Sequence, residues 1–114
     1  AADYAGEGER LMPKFLFGYH GGSAPESPDD QAKVLAAWMA WIEGHGAAFI
    51  DPGEPVGQSN TVSASGIAPD GGPNPLTGYA IVKADDLAAA TAIAKGCPIL
   101  EDGGTVEVAQ IHEM

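Results

Sequence analysis

Histidines, carboxylates and a lone cysteine are the groups in this chain that could do chemistry, and His20 is the most suggestive of them. It closes the run Lys14–His20 and stands just before Gly21-Gly22. Strand ends beside glycines open into pockets, and imidazole titrates near neutral pH. A histidine there could act as a general base toward a bound ligand. The plainer role is a polar strand-end residue bonded to a loop carbonyl. Asp51 precedes Pro52-Gly53 and could orient His20 if the two strand ends meet. A histidine–carboxylate pair is the minimum apparatus for acid–base work. Asp before Pro-Gly also suits an Asx-type turn, and the local spacing favours that reading.

Two polar clusters could line a ligand pocket: Gln58-Ser59-Asn60, and Asn74 with Thr77 and Tyr79. From these, Ser59 and Tyr79 are the candidate substrate-binding residues. The bland reading is that they bond loop backbones or occupy a wet sheet face. No GxSxG surrounds Ser59, so a nucleophile elbow is absent. Trp38 and Trp41 could stack on a planar ligand, but at a spacing of three they belong to a core or a dimer contact. Cys97 reads as a small buried apolar residue rather than a reactive thiol. His45 reads as a helix-end residue, and His112 as exposed. No pair of histidines has HxH or HxxxH spacing, so neither a metal nor another cofactor is expected.

The elements that must position these groups follow from periodicity and punctuation. Phe15, Phe17 and Tyr19 alternate with Leu16, Gly18 and His20, which predicts a central strand over Lys14–His20. Ser27-Pro28-Asp29-Asp30 predicts a helix start, with Gln31, Val34, Leu35, Trp38, Trp41 and Ile42 as its stripe, running to about Glu43. Ala47–Asp51 predicts a short strand, and Pro52 to Pro55 a turn or bulge. Thr61–Ser65 predicts a strand pairing, through a loop over Ile67–Pro75, with a second arm at Leu76–Lys83. Asp85 is the expected cap of a second helix whose face is Leu87, Ala90, Ile93 and Ala94. Gly96 is expected to end it in the left-handed conformation, ahead of Pro98. Gly103-Gly104 then turns the chain into a last strand, Thr105–Ile111. The order is β-α-β-β(-β)-α-β. Two helices on one face of an antiparallel sheet is an α+β, ferredoxin-like arrangement. The other face is apolar on some strands, so a second subunit packing there is expected.

The chain has 114 residues, enough for one domain, taken here as residues 12–114. Residues 1–11 lack the basic and apolar regions of a signal peptide. They are set outside the fold as a leader, or as a segment added ahead of a natural start at Met12. Five basic against sixteen acidic residues gives a net charge of −11. That field repels phosphate, so neither nucleic acid nor anionic membrane is expected as a partner. An RNA-binding sheet of the RRM kind is further disfavoured by the lack of RNP aromatics in the last strand pair. A single cysteine allows no internal disulfide, which suits a cytoplasmic setting.

Five motifs recur in a telling order: Tyr19-His20-Gly21-Gly22, Asp51-Pro52-Gly53, Pro55-Val56-Gly57-Gln58-Ser59, Asn74-Pro75-Leu76-Thr77-Gly78-Tyr79 and Gly96-Cys97-Pro98, the last followed by Gly103-Gly104-Thr105-Val106-Glu107-Val108. Together, over about Met12 to Met114, they resemble the YCII-related family of small bacterial proteins. The resemblance implies a homodimeric α/β barrel of ferredoxin-like subunits. One branch of that family carries DGPF before the fourth strand; here Asp70-Gly71-Gly72-Pro73 lacks the Phe and the basic–acidic pair after it, as in a sister branch. Members named for YCII carry a histidine in the first helix, paired with an aspartate. The expected helix here, Asp29–Glu43, has none, so that activity is not carried over. Two readings of function remain. One is an enzyme or degenerate enzyme without cofactor, acting on a small apolar molecule with His20 and Asp51. The other is a non-catalytic binding or regulatory dimer.

Overall fold

The computed structural model describes residues 12–22 and 26–112; the expected leader, residues 1–11, lies outside them. In chain order the elements are β1 (Lys14–His20), α1 (Pro28–His45), β2 (Phe49–Asp51), β3 (Thr61–Ser63), β4 (Gly66–Ala68), β5 (Leu76–Lys83), α2 (Leu87–Ala94) and β6 (Thr105–Gln110). Short 3-10 turns occupy Gly46–Ala48 and Pro98–Asp102. The main sheet is antiparallel, in the order β2-β5-β1-β6. From β6 inward, that is the fourth, first, third and second of its strands, the ferredoxin-like order. Among the described residues, no helix is long and apolar enough to cross a membrane.

The alternation in β1 builds the core. Phe15, Phe17 and Tyr19 are buried toward the helices, opposite Val82, Ala80 and Gly78 of β5. Val108 and Val106 of β6 flank Phe17 and Tyr19 on the other side. Small residues on β5 leave room for large ones on α1. Trp41 packs on Phe17 (6.2 Å between ring centres) and edge-on to Phe49 (5.0 Å), while Trp38 meets Tyr19 at 5.1 Å. The Trp41 Nε1–H donates to the Ile93 carbonyl at 3.0 Å and so ties α1 to α2. A buried indole N–H needs such a partner.

The helix ends follow capping chemistry, with corrections. Ser27 Oγ accepts from the Asp30 N–H at 3.1 Å, as expected. The first helix runs two residues past the expected end and closes on His45, so it does hold a histidine; that ring lies against Trp41 and Phe49. Asp86, not Asp85, caps α2 by accepting from the Ala89 N–H at 2.8 Å. A cap reaches the amide three residues on, and Asp85 stands one residue too early. Gly96 does not take a positive φ. Its small size matters instead, since a Cβ there would stand 3.3 Å from the Trp41 ring. Leu35 and Leu87, both assigned to buried stripes, are exposed.

The largest departure is the middle of the chain. Residues 61–65 do not pair with β5. The β5 edge is already taken by β2 and then by Glu54–Val56, through Tyr79 N–H to the Glu54 carbonyl and Val56 N–H to the Thr77 carbonyl. With the β5 edge taken, β3 turns back tightly onto β4 instead. The Ser63 hydroxyl holds that turn, bonding Ser65 Oγ at 3.0 Å and the Gly66 carbonyl at 3.3 Å.

The Trp41 contacts set a test. Trp41→Ala is expected to cost about 3–5 kcal/mol. Trp41→Phe keeps most of the packing but loses the indole bond to the Ile93 carbonyl, which still accepts from the Gly96 N–H, for about 1 kcal/mol. Urea unfolding measures both, and a Trp41→Phe variant as stable as the unaltered chain would remove the Nε1–H bond from the account.

Candidate functional site

The even-numbered side chains of β1 face away from the helices. On that open face Gly18 lies between Tyr79 of β5 and Glu107 of β6, and His20 lies opposite Thr105. Diagonal neighbours across an antiparallel pair are within reach of long side chains. Glu107 uses that reach: its Oε1 stands 3.0 Å from His20 Nε2. His20 Nδ1 meets the Asn74 carbonyl at 2.9 Å and the Pro75 carbonyl at 3.2 Å. Carbonyl oxygens only accept, so Nδ1 carries a proton and donates it there. The Nε2–Oε1 contact is then a hydrogen bond only when a further proton lies between imidazole and carboxylate. The pair straddles the surface, with side-chain exposures of 9% for His20 and 71% for Glu107.

Glycines make the room. A Cβ on Gly18 would stand 3.1 Å from Leu76 Cδ2 and 3.8 Å from His20 Nε2. Gly18 is thus the floor on which Leu76 and the imidazole edge lie. Behind the site, a Cβ on Gly104 would fall 2.7 Å from the His20 carbonyl oxygen and 3.0 Å from Gly22 N. Only glycine lets the start of β6 close on the end of β1, and that closure sets the register joining Glu107 to His20.

The other sequence candidates lie elsewhere. Asp51 pairs with Ile81 whereas His20 pairs with Leu76, five positions along β5 and about 16 Å. Asp51 Oδ1 accepts from the Gly53 N–H at 2.8 Å, an Asx turn, so the structure does not bring it to His20. Tyr79 shares the open face beside Gly18. Ser59 is exposed at the root of the β3–β4 hairpin, where a Cβ on Gly71 would stand 2.6 Å from its Oγ. Glu107 was not foreseen as a site residue. Its signal was present: in Thr105–Gln110, Val106 and Val108 alternate with Glu107, and the ferredoxin-like order sets β6 beside β1. Among the described residues, no three His, Cys, Asp or Glu side chains gather as a metal set.

On the helix side, the Tyr19 hydroxyl is buried with no hydrogen-bond partner among the described residues. Burial, and secondarily the nearby Cys97, hold it protonated well above the ordinary tyrosine range. Burial pushes the Cys97 thiol up to about 11, against a lowering by its backbone bond with Ile99. This thiol is protonated at neutral pH and buried, which suits packing rather than nucleophilic work.

Fold and site together define a ferredoxin-like α+β fold carrying a histidine–carboxylate pair on a sheet face that no helix among the described residues covers. A sequence profile of the YCII-related domain matches residues 19–114, and the chain belongs to that family. A comparison with curated proteins finds no match.

Two tests follow. Gly104→Ala is expected to destabilise by about 1–3 kcal/mol through forced overpacking, and to shift the His20 and Glu107 resonances; unchanged spectra would separate the glycine contact from the site. Raised folded-state values for Tyr19 and Cys97 mean that above about pH 9 the unfolded chain holds fewer protons than the folded one. Stability is therefore expected to be level up to that pH and then to fall as pH rises, more steeply above 10 as Tyr19 joins. Tyr19→Phe should remove the steeper part. A flat urea midpoint from pH 8 to 10.5 would contradict the account.

Proposed function

We propose that this protein is a cofactor-independent acid–base catalyst for a small, largely apolar molecule, working as a homodimer. The observation that carries the reading is the His20–Glu107 pair, tethered through Nδ1 to the Asn74 and Pro75 carbonyls. The tether fixes the ring, so Nε2 keeps its aim while the proton moves. Glu107 is the exposed member and can take a proton from a ligand. His20, through Nε2–H, can return one. A ligand that gives and receives one proton each leaves the pair as it began. Leu76 lies beside the imidazole and Tyr79 shares its face opposite Gly18, which suits an apolar body. The orienting role expected of Asp51 passes to Glu107, and Ser59 stands near Gly71.

A second copy over the open face would cover Leu16 and Ile50, which the helices leave exposed, and would shield the pair from water. One observation favours the non-catalytic alternative: both ring nitrogens already face protein acceptors, as in a clamp that merely shapes a binding surface.

A thermal-shift screen of small apolar acids, ketones and phenols identifies ligands, and proton NMR in D2O then follows exchange of each bound ligand's acidic hydrogen. Glu107→Gln is expected to keep binding and lose exchange by roughly a hundredfold or more, with His20→Ala losing it too. Binding without exchange in the unaltered protein would establish the binding module instead.

A further inference from the structure

The β3–β4 hairpin does nothing for the fold described above. Its strands bond to each other, not to the main sheet. Every residue from 54 to 70 is exposed. A two-stranded hairpin is marginal in water on its own. Yet this one is well built: the Ser63 hydroxyl holds its turn, and Thr61 Oγ1 donates to the Asp70 carbonyl at 2.6 Å. At its middle, Val62 and Ile67 stand directly opposite each other, 74% and 70% exposed, the two most exposed large apolar residues described.

Its charge is equally distinctive. From Pro55 to Pro69 no residue is charged or titratable, in a chain of net charge −11. Two such chains repel each other over most of their surfaces. The hairpin is where a second copy can approach without meeting like charge. The same chain also offers a place for it, since Leu16, Ile50 and Leu76 are exposed on the open face of the main sheet. The hairpin follows the segment Glu54–Val56 that pairs along the β5 edge of that sheet. Its root runs into Asn74 and Pro75, whose carbonyls hold His20.

We propose that the β3–β4 hairpin is a clasp for a second copy of this chain, seating its Val62–Ile67 pair on the partner's open sheet face. Two-fold symmetry lets each copy give one clasp and receive one. A cationic protein partner would be drawn to the acidic surface instead of to the uncharged hairpin. The clasp closes the open face and sets uncharged chain around the His20 end. It rests on the homodimer of the preceding section but not on any catalysis there.

Sedimentation velocity over about 1–100 µM tests it, on the unaltered chain and on Val62→Asp/Ile67→Asp. The double variant lies outside the core, so its circular dichroism and amide spectrum should be unchanged. We expect a dimer for the unaltered chain and at least a tenfold weaker one for the variant. Val62→Ser/Ile67→Ser, which adds no charge, should weaken it in the same direction. A monomer at every concentration overturns both clasp and dimer. A dimer of equal strength in both variants overturns the clasp and leaves the dimer. To locate the contact, a spin label on Val62→Cys in a Cys97→Ala background is mixed with 15N-labelled unaltered chain. Broadening of the Leu16 and Ile50 amides supports the clasp, and broadening confined to other surfaces overturns it. Loss of ligand proton exchange with the dimer intact bears on the catalytic reading alone.

Discussion

Strand β1 is hydrogen-bonded along both edges, and the two-residue period of its side chains makes it serve two faces at once. Phe15, Phe17 and Tyr19 anchor the helix side, where Trp41 packs on Phe17 and Trp38 on Tyr19. Leu16, Gly18 and His20 point the other way by the same geometry. The imidazole is therefore as well fixed as the core, because it shares a backbone with it. A slip of one residue would bury Gly18 and expose Phe17, so the core also guards the register of the site.

The site turns on approaches that only glycine permits. Gly104 lets β6 close on the end of β1, and Gly18 leaves a floor for Leu76 and the imidazole edge. With those contacts in place, the Asn74 and Pro75 carbonyls settle which ring nitrogen bears a proton, and Glu107 meets the other. The hydroxyl of Tyr19 and the thiol of Cys97, behind the sheet, are by contrast held protonated by burial.

The two layers of the domain leave a clear asymmetry. One sheet face is closed by helices; the other shows apolar side chains around a polar pair. An exposed, uncharged hairpin follows the segment that pairs along the β5 edge. Burial that one chain of this size cannot complete is commonly completed by a second.

Much of this was legible in the sequence because it rests on local periods and caps. The β1 alternation, the Ser27-Pro28 helix start and the β-α-β-β-α-β order are short-range signals, and His20 stood out by its place before Gly21-Gly22. What tertiary structure alone decided was pairing. Asp51 and Glu107 are both acids near strand ends or within strands, and nothing local tells which meets His20; the β1–β6 register selects Glu107, and the turn at Gly53 claims Asp51. Residues 61–65 read as a sheet strand by alternation, but the β5 edge was already occupied, so they folded back on themselves. Periodicity says that a segment is a strand, while the partner it finds depends on which edges the rest of the chain has left open.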